Sequence, residues 1–250
     1  MMIKKITIFI LVFIPITSFA QRDLTSKALF TPIYGLTYKA NFTGGDLQKM
    51  WGFNNQIGAE IGFKLKNGLE FGIDGGFIFG NQFKDSLIFK DLYTSKGTIT
   101  ALEGIPADVF FYMRGANANI HIGYVFNKLG HNPNSGLWVN VGVGFLGYKI
   151  RVETQDHVVP NLEGDILWGY DHLTMGINTK QFIGYLFQHD KKFINFYAGF
   201  EFIQGFTQNV RNYNFDVKGP HPERRIDLMY SFKVGWMIPI YKRHTQEYYY

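Results

Sequence analysis

Cysteine is absent from the whole chain, which excludes disulfides, thiolate metal centres and a lipidated cysteine behind a leader. Uninterrupted hydrophobic runs are missing too. No stretch reaches the roughly 18 apolar residues that a membrane-spanning helix needs, so entry into a bilayer would have to be by strands. Serine is scarce in the segments that read as strands, where Ser231 is the one example, and this leaves little material for a hydroxyl nucleophile. Excess charge is small. Lys4 and Lys5 belong to the leader described below, and without them 23 basic residues face 20 acidic ones, a balance that argues against nucleic acid as a partner.

Aromatic residues, by contrast, make up 18% of the chain and glycine numbers 28, yet mean hydropathy is only −0.08. A chain so rich in Phe and Tyr but neutral in hydropathy must alternate apolar with polar residues, as transmembrane β-barrel strands do. Residues 1–20 read as a secretory signal peptide: Lys4 and Lys5, an apolar run from Ile6 to Ile16, then Ser18-Phe19-Ala20 before Gln21. Residues 21–241 then form one domain, followed by a tail over 242–250.

The clearest alternation is the last. Ile226, Leu228, Tyr230, Phe232, Val234, Trp236, Ile238 and Ile240 share one face, long enough to line a bilayer-spanning strand. Seven earlier segments follow the same rule: 33–42, 55–65, 69–79, 118–126, 137–148, 176–188 and 193–206. The sixth is the least regular, because Thr179 and Gln181 share the apolar face with Ile177, Ile183, Tyr185 and Phe187. The pattern predicts an all-β fold, an eight-stranded antiparallel up-and-down transmembrane barrel with long extracellular loops. Connections after the second, fourth and sixth strands are short and the others long, which sets both termini in the periplasm. The insert 81–117 contains the apolar stretch Ile105 to Met113; if that forms a further hairpin, the barrel has ten strands.

Register follows from the turn Lys66-Asn67-Gly68. A two-residue turn sets Leu65 against Glu70. A three-residue turn with Gly68 in the left-handed position sets Leu65 against Leu69, Lys64 against Glu70 and Glu60 against Asp74, keeping like faces together. Glu60 and Asp74 then repel unless Lys39 or Lys233 reaches them. A four-residue turn at His189–Lys192 sets Phe187 against Ile194 and Lys180 against Glu201. Glu60, Lys64, Glu70, Asp74, Lys180, Glu201 and Lys233 are therefore expected to form a charge network filling a narrow lumen, too tight for solute passage.

At Lys233 to Ile240 the chain reads KVGWMIPI. The spacing of Lys233, Gly235, Ile238 and Ile240 resembles the C-terminal β-signal by which the barrel-assembly machinery recognises its substrates. With the leader, the chain resembles small Gram-negative outer-membrane β-barrel proteins of OmpA-transmembrane-domain and OmpX-like architecture. That resemblance implies outer-membrane location and the assembly route, and brings no catalytic residues. The signal is usually terminal, whereas here nine residues follow Tyr241. A soluble calycin-like barrel, with the faces inverted, is the competing architecture.

No nucleophile–base pair is legible, since inward His121 lies on a strand well separated from Ser231, and no catalytic, cofactor or metal residue is assigned. Asp156, His157, Asp171, His172, His221 and Glu223 fall in long loops at spacings that match no ligand motif and read as solvated. Arg211, Lys218, Arg224 and Arg225 in the last loop offer contacts to lipopolysaccharide phosphates. Tyr248, Tyr249 and Tyr250 end the tail, either as a stub or as anchors for a partner. The expectation is a non-enzymatic outer-membrane barrel that meets outer-membrane lipids and works as an accessory subunit of a larger secretion, uptake or assembly complex. The alternative is a lipid-modifying enzyme.

Overall fold

A computed structural model of the chain describes residue 28, residues 30–189 and residues 195–238. The leader, the tail, Ile194 and Ile240 lie outside the described residues. Eight long antiparallel strands form the wall: β1 (Thr31–Gly45), β2 (Asn54–Lys64), β3 (Leu69–Gly80), β4 (Pro106–Phe126), β5 (Gly136–Gln155), β6 (Thr174–Gln188), β7 (Asn195–Asn209) and β8 (Arg224–Met237). Each pairs with its sequence neighbours, and β1 pairs with β8 from Gly35↔Met237 to Gly45↔Asp227, which closes the ring and removes every free edge. The fold is the all-β, eight-stranded antiparallel barrel expected.

The faces are those of a barrel in lipid. Leu36, Phe42, Ile57, Ile73, Phe77, Ile120, Val143, Ile177, Phe200 and Trp236 all point outward and exposed, while Lys39, Glu60, Glu70, Asp74, Lys180, Glu201 and Lys233 are buried inside. This inverts the soluble arrangement and rules out the calycin reading. It is stable only where the outer solvent is apolar and every inward polar group finds a partner. Thr179 and Gln181 do face outward on β6, and Thr179 Oγ1 donates to Gln204 Oε1 across the β6–β7 pair at 3.4 Å, so its hydroxyl is satisfied within the wall.

The β2–β3 connection takes the three-residue form. Gly68 has φ +93°, Lys64 faces Glu70 and Glu60 faces Asp74, and the Asn67 side chain accepts from the Leu69 amide at 3.1 Å. Three expectations need correction. The stretch Ile105 to Met113 makes no extra hairpin in the wall: Pro106–Met113 is the upper part of a 21-residue β4, whose Asp108–Met113 pair with Ile150–Gln155 of β5. Beyond it, only Ile99–Thr100 adds a two-residue ribbon on β4. The β1–β2 connection, 46–53, is no longer than the β4–β5 turn 127–135, because β1 runs on to Gly45. Finally, β6 and β7 pair Phe187 with Phe196 and Lys180 with Ile203, two residues away from the expected register. The described pairing runs to Gln188↔Asn195, where the His189 amide donates to Asn195 Oδ1 at 3.1 Å.

At the long-loop end, the connections fold into a compact cap. Leu47 and Met50 from a single helical turn α1 (Leu47–Met50), Trp51, Ile88, Phe89, Val159, Leu162 and Tyr170 pack with Met113, Leu146, Ile150, Ile203 and Met229 of the wall. Phe89 is central, with ring centroids 4.3 Å from Phe111 and 5.6 Å from Tyr170, which in turn lies 4.8 Å from Phe215. Burial of this kind contributes a few kcal/mol per aromatic side chain, about 1.5–3 each, and it ties four loops into one body.

The charged barrel interior as a candidate functional site

The interior is layered. Nearest the short turns lies an apolar plug of Ile33, Val125, Trp138, Phe182, Leu186, Tyr197 and Met237, with the Trp138 ring edge-on to Phe182 and Tyr197 at 5.4 and 4.9 Å. Above it come the charges, then an amide layer of Asn41, Asn54, Gln56, Asn117, Asn119 and Asn178, and then the underside of the cap. Asn41 Nδ2 donates to Asn54 Oδ1 and Gln56 Nε2 to Asn117 Oδ1, each at 2.8 Å. Apolar side chains thus seal both ends of a polar middle.

Period-2 alternation on six strands carries the charged groups into that middle. Lys39 bonds Glu201 and lies 3.5 Å from Asp74 Oδ2. Lys180 bonds Asp74. Lys233 lies 2.9 Å from Glu60 Oε2 and 3.4 Å from Glu201 Oε2, over the rings of Phe182 and Tyr197 at 5.3 and 5.4 Å. Tyr197 donates its hydroxyl to Glu60. Lys64 Nζ donates to Asn134 Oδ1 at 3.3 Å. The repulsion between Glu60 and Asp74 is thereby relieved by the two lysines that the sequence offered, Lys233 on the first and Lys39 on the second, with Lys180 added. The proposed Lys180–Glu201 pair does not form: the two-residue shift of register moves Lys180 toward Asp74 and leaves Glu201 between Lys39 and Lys233.

Sequence reasoning placed His121 inside and gave it no role. It sits at the centre of the cluster, with Nε2 3.1 Å from Glu70 Oε1 and 3.5 Å from Glu60 Oε1, and Nδ1 3.2 Å from Asp74 Oδ1. A signal was available. Inward glycines stand opposite it on both neighbouring strands, Gly72 on β3 and Gly142 on β5, and a Cβ on Gly72 would meet His121 Nε2 at 2.7 Å. Small residues facing a large one are how a narrow barrel fills its bore. Gly235 of the assembly signal obeys the same rule, since a Cβ there would strike the Tyr197 ring at 2.3 Å. Lys233 and Gly235 of that signal point into the lumen, while Ile238 lies outward and exposed.

Two of the loop residues read as solvated are not. Asp171 is buried and accepts from Arg211 Nε and Nη2 at 2.7 and 2.5 Å, and His172 Nε2 meets Asp216 Oδ1 at 3.1 Å. Both bonds tie the β5–β6 loop to the β7–β8 loop. Burial pushes the Asp216 carboxyl up, but the His172 hydrogen bond and charge prevail and hold it below its ordinary value. Arg211 is therefore committed to Asp171, and Arg225 to the Asp46 carbonyl at 3.0 Å. Of the four cations expected to meet phosphates, Lys218 and Arg224 stay exposed. The Ser231 hydroxyl donates to Asn41 Oδ1 at 2.6 Å, and the His121 nitrogens go to carboxylates and Lys180. That arrangement neutralises and cross-links the wall, and leaves the Ser231 hydroxyl on an amide oxygen rather than on a base.

No family model matches the chain, and no curated protein matches it. Solved structures do. Ail, the attachment invasion locus protein of Yersinia pestis, in complex with the heparin analogue sucrose octasulfate, is 9% identical with a TM-score of 0.40 over 84% of this chain and 99% of that one. Neisserial surface protein A (NspA) is 11% identical with a TM-score of 0.39 over 83% and 96%. The N-terminal β-barrel domain of Pseudomonas aeruginosa OprF is 13% identical with a TM-score of 0.34 over 82% and 97%. Beside these, the strand register and the inverted faces of this chain define it by themselves as a closed, eight-stranded, membrane-type β-barrel.

Proposed function

We propose that the chain is an integral barrel of a Gram-negative outer membrane, with both termini in the periplasm, and that it serves as a non-enzymatic interaction subunit of a larger envelope complex. The carrying observation is the sealed lumen: an apolar plug below, a paired charge network in the middle and a packed loop cap above leave a rigid surface and no route for solute. A body of that kind works through what it presents. Extracellularly it presents the cap; toward the periplasm, the tail Lys242–Tyr250 with Tyr248, Tyr249 and Tyr250 follows the strand that carries the assembly signal. Three tyrosines offer contact area at modest rotamer cost. The leader over residues 1–20 and the signal at Lys233, Gly235, Ile238 and Ile240 support export and insertion by the barrel-assembly machinery, and the exterior belt supports contact with outer-membrane lipids and lipopolysaccharide.

The test is a mild-detergent pulldown of the full chain beside one lacking His244 to Tyr250. A stoichiometric partner that is lost with the truncation, while membrane assembly and thermal stability stay unchanged, is the expected result. Truncated barrel that keeps its partners removes the tail from the proposal. Purified barrel that comes alone and alters phospholipid or lipid A would replace the proposal with the lipid-modifying enzyme.

A further inference from the structure

We propose that Glu60, Glu70 and His121 hold a divalent first-row transition ion of the zinc class inside the barrel, pinning β2, β3 and β4 together. One donor atom from each residue lies within 4.8 Å of the other two. The separations from His121 Nε2, 3.1 Å to Glu70 Oε1 and 3.5 Å to Glu60 Oε1, bracket the edge of a tetrahedron whose bonds are about 2.0–2.1 Å, roughly 3.3 Å. One imidazole nitrogen with two carboxylates is a donor set that such an ion accepts.

Two further observations point to a ligand. The first is the other ring nitrogen: His121 Nδ1 lies 3.2 Å from Asp74 Oδ1 and 3.1 Å from Lys180 Nζ, and with the proton on Nδ1 the Asp74 carboxylate is the partner that metal-bound histidines carry behind the ring to fix tautomer and orientation. The second is orphaned polarity. Glu60 Oε1 and Glu70 Oε2 are buried without hydrogen-bond partners, and so are both side-chain atoms of Asn140. Asn140 is 1% exposed and stands beside Glu70: a Cβ on Gly123 would lie 2.6 Å from Asn140 Cβ and 2.9 Å from Glu70 Oε2. Buried polar atoms are rarely left so, and an ion or its bound water between them would satisfy them.

The sealed ends of the lumen imply that the ion enters while the barrel closes and is then trapped. The inference stands apart from the partner proposal and uses a separate readout. The full chain is refolded from urea into detergent with and without zinc chloride, dialysed, checked for folding by heat-dependent gel migration and analysed by elemental mass spectrometry. About one zinc per folded chain is expected. It should survive EDTA in the folded state and leave on unfolding, and it should be lost in His121→Gln and Glu70→Gln. Cobalt loading should give tetrahedral d–d absorption with a paramagnetically shifted imidazole proton, a measurement on the unsubstituted chain that decides the matter if either variant fails to fold. Folded chain without metal above background would mean that a proton on His121 balances the site and would overturn the proposal. Unchanged metal in both substituted chains would do the same.

Discussion

Replacing Lys180 by Met tests the reassigned register of the lumen. Lys180 is buried and its ammonium bonds Asp74, which keeps Lys39 Nζ at 3.5 Å and His121 Nδ1 at 3.2 Å when the lysine is gone. A unit charge pair at 4 Å interacts by about 4 kcal/mol at an effective dielectric constant near 20, and stripping one partner from a buried pair costs about 3–5 kcal/mol. With Lys39 and the His121 ring left to Asp74, Lys180→Met should fall at the low end, about 3 kcal/mol. Asp74→Leu should cost about 4, because it strands Lys180 and loosens Lys39. In the doubly substituted barrel both charges are gone and Lys39 still bonds Glu201, so the loss should shrink to about 1–2 kcal/mol, since apolar replacement of a whole buried pair is often close to neutral. The coupling energy is thus several kcal/mol and should exceed that between Lys180 and Glu201 by at least about 1 kcal/mol. Urea titrations in detergent micelles, followed by the fluorescence of Trp138 in the plug and by gel migration, give all the values. Additive losses for Lys180 and Asp74, or stronger coupling of Lys180 to Glu201, would refute the register of β6 against β7.

Three further outcomes are expected. The mature protein should fractionate with the outer membrane and migrate faster unboiled than boiled on a denaturing gel, because a closed ring offers no edge from which to unzip; recovery in the soluble periplasm would contradict the proposed location. Gly72→Ala should cost about 1–3 kcal/mol, since its Cβ would press on His121 and Glu70, whereas Gly219→Ala, with nothing within 4 Å, should be close to neutral; equal melting points for the two would show that the bore is not packed as described. The cap should loosen in acid. Asp46 is held below its ordinary value by hydrogen bonds from Lys49 and the Ile226 amide, and Asp216 by His172 against the opposing pull of burial. A depressed carboxylate adds stability above its unfolded value, near 4, and loses it as pH falls through the folded value. Amide exchange in 46–53 and 210–223 should therefore accelerate from about pH 4 downward while wall amides stay protected, and unchanged loop protection at pH 3 would refute the linkage.

Period-2 alternation determined the strands and their faces, because a strand with lipid on one side and a narrow bore on the other allows only one side-chain order. It puts Lys39, Glu60, Asp74, Lys180, Glu201 and Lys233 inside by pattern alone. A local turn also determined a register: Gly68 fixes Lys64 opposite Glu70 and Glu60 opposite Asp74 within a few residues of chain. Where neither rule applied, the sequence was silent. Ile105 to Met113 read as an ambiguous apolar stretch because its inner face packs on the loop core, which blurs the alternation. Asp171 and His172 read as solvated because their partners, Arg211 and Asp216, come from another loop. Lys180 found Asp74 only when the ring closed, since that contact crosses the bore between β6 and β3, and His121 found Glu70 and Asp74 once the long connection 81–105 had set the register of β4 on β3. The sequence determined which charges must share the lumen; closure at fixed register decided which of them touch.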